Sequence, residues 1–147
     1  VDHNESTQAV EGFEQSEILE IIDHHRIGSL ETAGPVYFRN QPVGSTCTII
    51  AQMYQEAAVD IPVPIAGLML SAILSDTLKF SSPTCTPLDR RVAETLAQIA
   101  GVDIDRYAGE MFEANGWTAR APRTCSCRIS RFSCAATPAS AWLRAIS

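Results

Sequence analysis

The apolar positions of this chain fall into short runs separated by polar turns. Residues 18–22, ILEII, place apolar side chains on both alternating faces, which predicts a strand buried in a parallel sheet. Residues 35–39, PVYFR, predict a second strand. From 44 to 58 the spacing becomes helical, with Gly44, Ser45 and Thr46 as capping residues. Residues 64–76, PIAGLMLSAILSD, predict a helix apolar nearly all round and therefore buried, with Pro64 in its first turn. Turn chemistry over 81–86 leads into an amphipathic helix from Pro87, with Leu88, Val92, Leu96 and Ile99 as its stripe and Gly101 as its stop. A last helix covers 103–114, capped by Asp103. Strands alternating with helices give the α/β class, a mainly parallel sheet flanked by helices.

From about Asn115 the sustained periodicity lapses. Residues 1–115 therefore form the expected domain, and 116–147 an irregular basic tail. Charge divides at almost the same place. Residues 1–116 hold all 17 acids and six bases, a net of −11, whereas 117–147 hold five arginines and no acid. The acidic body excludes non-specific nucleic-acid binding, which needs a basic surface to displace counterions. An anionic substrate stays open if metal ions supply the positive charge. The tail reads either as a basic binding segment or as an out-of-frame ending; the second is expected, with no function.

The longest apolar run falls short of the roughly 20 residues a membrane span needs. Nothing at the N-terminus has the build of a signal peptide, so the expected location is the cytoplasm, with no membrane partner. The cysteines, 47, 85, 125, 127 and 134, are odd in number, which argues against a disulfide framework. A zinc site at 125–134 lacks a fourth ligand, because no histidine follows His25. Val1 stands where a methionine would, and Asp2 follows at once, giving the expectation that sequence is missing upstream.

Two of the three histidines, His24 and His25, are adjacent and directly follow Asp23 at the end of the first predicted strand. Ligands of open α/β sheets gather beyond the carboxyl ends of strands. Successive strand residues point to opposite faces, so one imidazole can ligate a metal while its neighbour faces substrate. Asp2 ends a possible further strand, and Asp76 closes the apolar helix, where both the helix dipole and desolvation disfavour its charge. A cation would relieve both. Asp2, His24 and Asp76 are an oxygen-rich set that suits a manganese-like or magnesium-like ion, and paired divalent ions serve phosphoryl transfer. Three such residues cannot saturate two metals, so further ligands must come from elsewhere. The helix start at 44–46 could also bind an anion through its free N–H groups.

Five ordered stretches carry a likeness to a known family: VDHNE (1–5), IDHHRI (22–27), PVGST (42–46), AGLMLSAILSDTLKF (66–80) and SPTCT (82–86). Together they closely resemble the family II inorganic pyrophosphatases, manganese- or cobalt-dependent members of the DHH phosphoesterase superfamily, over roughly residues 1–115. The resemblance implies a partial DHH domain in which Asp2 is the metal-bridging aspartate. His24 and Asp76 would ligate the second metal. His25 would be the catalytic histidine that contacts substrate phosphate, and His3 and Asn4 would support. It further implies hydrolysis of pyrophosphate to two phosphates by in-line attack of a water held between two metals, with magnesium accompanying the substrate, and paired subunits in a homodimer.

The departures are specific. The family's opening strand with its His-x-x-x-Asp-x-Asp motif is not in this sequence, nor is the second domain whose lysines and arginines clamp substrate. One subfamily inserts nucleotide-sensing CBS domains upstream of the VDHNE motif. Little or no activity is therefore expected of this chain alone. Two rival readings remain: a related phosphoesterase acting on polyphosphate, cyclic dinucleotides or short oligonucleotides, and a non-catalytic fragment that binds a partner through the arginine-rich tail.

Overall fold

A computed structural model describes residues 1–114. The boundary expected after residue 115, the tail and the three cysteines within it lie outside the described residues.

Strand β1 (Glu20–Asp23) pairs in parallel with β2 (Tyr37–Asn40), Glu20 opposite Tyr37 and Asp23 opposite Asn40. Both strands begin two residues later than the apolar runs predict. The buried run is Ile21, Ile22 and Asp23, while Leu19 is exposed. A carboxylate can end a buried strand here because its hydrogen bonds are met on the spot. Two 3-10 turns, Ser6–Gln8 and Phe13–Gln15, precede the sheet. Alongside it Asp2 N–H donates to Ile22 O (2.9 Å), so the first residues run beside β1 without forming a strand.

Four helices follow: α1 (Thr46–Glu56), α2 (Val63–Asp76), α3 (Pro87–Ala100) and α4 (Ile104–Ala114). Ser45 caps α1, accepting Cys47 N–H on its hydroxyl. Thr86 and Asp89 form a reciprocal capping box at α3. Asp103 Oδ1 accepts Arg106 N–H (2.9 Å) at the start of α4. Gly101 ends α3 at φ 69°, the left-handed stop its position predicts.

The main core lies between α2 and α3, with α1 and α4 against it: Leu70, Ile73 and Leu74 are fully buried and Leu96 nearly so. Each such side chain contributes about 1.5–3 kcal/mol by leaving water. A smaller cluster, Ile22, Val43 and Ile49, joins α1 to the sheet.

Two sequence expectations need correction. Helix α2 is not buried all round, because Val63, Ile65 and Leu68 stay exposed while Ala66, Leu70, Ile73 and Leu74 face the core. The buried face of α3 is rotated from the predicted stripe: Asp89, Ala93, Leu96 and Ala97 are buried, and Leu88, Val92 and Ile99 are only half-buried. Ala93 and Ala97 share the buried face with Leu96, and Val92 and Ile99 pack against the core from its edge. Among the described residues no helix is long and apolar enough to cross a membrane.

Candidate functional site

The site grows from the end of β1. Asp23 is completely buried. Its Oδ1 accepts the N–H groups of His24 (2.7 Å) and His25 (3.2 Å) and the Nδ1–H of His25 (2.8 Å), while Asn4 Nδ2–H donates to Oδ2. Burial works against its charge, but these donors outweigh burial and leave its pKa below the ordinary carboxylate value. Asn4 is itself buried. It also donates to Arg26 O (3.0 Å) and accepts Gly28 N–H, so it fastens the loop after the histidines.

This turn corrects the expectation that the two imidazoles face opposite ways. The strand ends at Asp23, so strand alternation does not reach His24 and His25. Their backbone N–H groups fold onto the Asp23 carboxylate, and the rings lie with centroids 4.1 Å apart. Asp2, His24 and His25 then offer ligand atoms all within 4.8 Å of one another. His24 Nε2 is 3.7 Å from Asp2 Oδ1. Asp2 adopts φ 71°, a left-handed conformation costly for a residue with a side chain, of the kind that concentrates at functional sites.

The segment 43–46, running from the loop after β2 into the first residue of α1, touches each expected metal ligand. Val43 O lies 2.9 Å from His24 Nδ1. A carbonyl only accepts, so Nδ1 donates its proton here, and in the neutral ring Nε2 then carries the lone pair, the arrangement of a metal-ligating histidine. Ser45 Oγ–H donates to Asp76 Oδ2 (2.6 Å), and Thr46 Oγ1–H donates to Asp2 Oδ1 (2.7 Å). Asp76 is therefore not in the three-residue cluster but is joined to it through neighbouring hydroxyls. Crowding around its carboxyl raises its pKa, Ser45 opposes this, and the Asp2 charge adds to it. A bound cation would reverse that penalty.

Oxygen from Asp2 and Asp76 with imidazole nitrogen from His24 and His25 fits a manganese- or magnesium-like ion. The neighbouring Cys47 supplies no competing thiolate. Burial, with the charges of Asp76 and Asp2, pushes its thiol up to about 11. His3 adds a buried Nδ1 without a hydrogen-bond partner among the described residues.

Sequence reasoning assigned no role to Asp23, Val43 or Asp89, and read Ser45 and Thr46 only as caps and a possible anion site. For Asp23 the signal was present, an acid ending an apolar run directly before two histidines. Val43 acts through its backbone, and no side-chain pattern reveals that.

Residues 1–73 match the DHH family, N-terminal domain. Relatives from Shouchella clausii (strain KSM-K16) and Brevibacillus brevis, each named "Probable manganese-dependent inorganic pyrophosphatase", are 56% and 54% identical over 114 residues. Each alignment takes in 78% of this chain and 37% of the relative, so the chain spans just over a third of their length. A crystal structure of a Methanococcus jannaschii protein assigned as a family II inorganic pyrophosphatase superposes with a TM-score of 0.71 at 41% identity, covering 77% of this chain and 39% of that one.

Proposed function

We propose, from the likeness to the DHH family and to family II inorganic pyrophosphatases, that residues 1–114 form the metal-holding part of a manganese-dependent enzyme that hydrolyses pyrophosphate to two phosphates. Asp2, His24 and Asp76 hold manganese, or cobalt in its place, and His25 contacts the substrate. His3 and Asn4 support them. When bound, the metal ions neutralise phosphate oxygens and activate water, and magnesium arrives with the substrate.

The chain's own residues prepare this chemistry. Val43 O fixes the His24 ring and leaves Nε2 free to ligate. Thr46 and Ser45 hydroxyls orient the carboxylates of Asp2 and Asp76. His25, bound through Nδ1 to Asp23, presents Nε2 as its free ring nitrogen. The observation that carries this reading is the His24–Val43 contact, which sets the tautomer a metal requires.

The isolated chain is proposed to turn over pyrophosphate slowly or not at all, since these residues alone do not fill two metal sites. The working enzyme is proposed to be a cytoplasmic homodimer. The test is pyrophosphate binding to the manganese-loaded chain, with tripolyphosphate and a cyclic dinucleotide as competitors. His25→Ala is expected to weaken pyrophosphate binding at least tenfold while manganese affinity is kept. Unchanged pyrophosphate binding would overturn the role of His25. Loss of manganese instead would make His25 a metal ligand. Preference for the cyclic dinucleotide would favour a different DHH phosphoesterase.

A further inference from the structure

A buried carboxylate outside the site is hydrogen-bonded to the segment that touches every expected ligand. Asp89, in the first turn of α3, has no solvent exposure. Its Oδ2 accepts Gly44 N–H (2.9 Å), Thr86 N–H (2.7 Å) and Thr86 Oγ1–H (2.6 Å), and its Oδ1 accepts Thr48 Oγ1–H (2.6 Å). The Thr86 N–H bond, with Asp89 N–H donating back to Thr86 Oγ1 (3.4 Å), makes the capping box and would suffice for the helix end. The bonds to Gly44 and Thr48 reach across 41 to 45 residues of sequence into the start of α1.

Gly44 sits in the middle of 43–46. Its neighbours on either side supply Val43 O to His24, Ser45 Oγ to Asp76 and Thr46 Oγ1 to Asp2. A Cβ at Gly44 would come within 2.7 Å of Thr77 Cγ2 and 2.9 Å of Asp89 Oδ2, so the backbone is pressed against both α3 and the end of α2. Thr77, the residue after Asp76, is fully buried there, donating to Ile73 O (2.6 Å) and accepting Phe80 N–H (3.2 Å).

We propose that Asp89 is a positioning residue for the metal site: by holding Gly44 N–H and Thr48 Oγ1 at once, it fixes the 43–46 segment and thereby the orientation of His24, Asp2 and Asp76. The proposal rests on the metal-site reading above for its effect on affinity, but not for its effect on the His24 ring. Asp89→Ala removes the anchor. Asp89→Asn keeps one acceptor oxygen for Gly44 and Thr86, and its amide can donate to the Thr48 hydroxyl, whose role reverses freely. Leu96→Ala, in the same helix, lowers stability without touching 43–46.

The experiment is performed on the full chain, folded by circular dichroism at low temperature. Long-range proton–nitrogen NMR reads the His24 tautomer without metal, and calorimetry reads manganese affinity. The wild type and Asp89→Asn are expected to hold His24 as the Nδ1–H tautomer. Asp89→Ala should show a mixture of tautomers and at least tenfold weaker manganese binding, while Leu96→Ala stays within twofold of the wild type. If Asp89→Ala does not fold, Thr48→Val carries the same expectation at threefold or more. An unchanged tautomer and unchanged affinity in the folded anchor variant would overturn the proposal. A shifted tautomer in a chain whose wild type binds no manganese would uphold the positioning role and sink the metal reading alone.

Discussion

Asp23 and Val43 determine what the two adjacent histidines can do. Asp23 fixes His25 through its Nδ1, and Val43 fixes His24 through the corresponding atom, so both rings expose Nε2. Removing the Asp23 carboxylate strips the partner from two part-buried backbone N–H groups, from the half-exposed His25 ring N–H and from the buried Asn4 amide. Asp23→Ala is expected to cost about 3 kcal/mol, within the range for stranding several such donors, which urea unfolding would measure. A loss under about 0.5 kcal/mol would mean that the donors are easily satisfied elsewhere. The candidate ligands were legible because Asp, His and their order along the chain are chemistry written in side chains. The tautomer was not, since a backbone carbonyl from a residue 19 positions away selects it.

The helices show the same division. Gly101 and Asp103 announced a stop and a start by residue type, and both act as expected. The buried face of α3 was misread because Asp89 looks like a solvated first-turn acid. In the fold its hydrogen bonds turn it inward, and Ala93 and Ala97 follow it. That burial has a pH consequence. Burial alone would raise the Asp89 pKa, but the Thr48 and Thr86 hydroxyls and the N–H groups of Thr86 and Gly44 bring it below its ordinary value of 3.8. A carboxylate whose folded pKa is depressed binds its proton more readily in the unfolded chain. Its stabilisation is therefore complete above the unfolded value and is lost as pH falls through the folded one. The stability gap between the wild type and Asp89→Asn should be constant from pH 7 to about 5 and narrow steadily below 3.8. A gap that persists unchanged in acid would contradict the charged, hydrogen-bonded state of Asp89.

Across the molecule, the parallel sheet and the helix order agree with what the apolar pattern suggested. The exposed face of α2 and the shared side of the two histidines did not follow from periodicity. Periodicity records which residues are apolar, whereas exposure depends on which neighbours arrive. The central claim is that the first strand, the start of α1 and the end of α2 converge to hold a manganese ion. Calorimetric titration of the chain with manganese, comparing wild type with His24→Ala and Asp76→Ala, tests it most directly. Saturable binding that each substitution weakens at least tenfold is the expected result. Equal binding by all three folded proteins would place any manganese elsewhere and contradict the site.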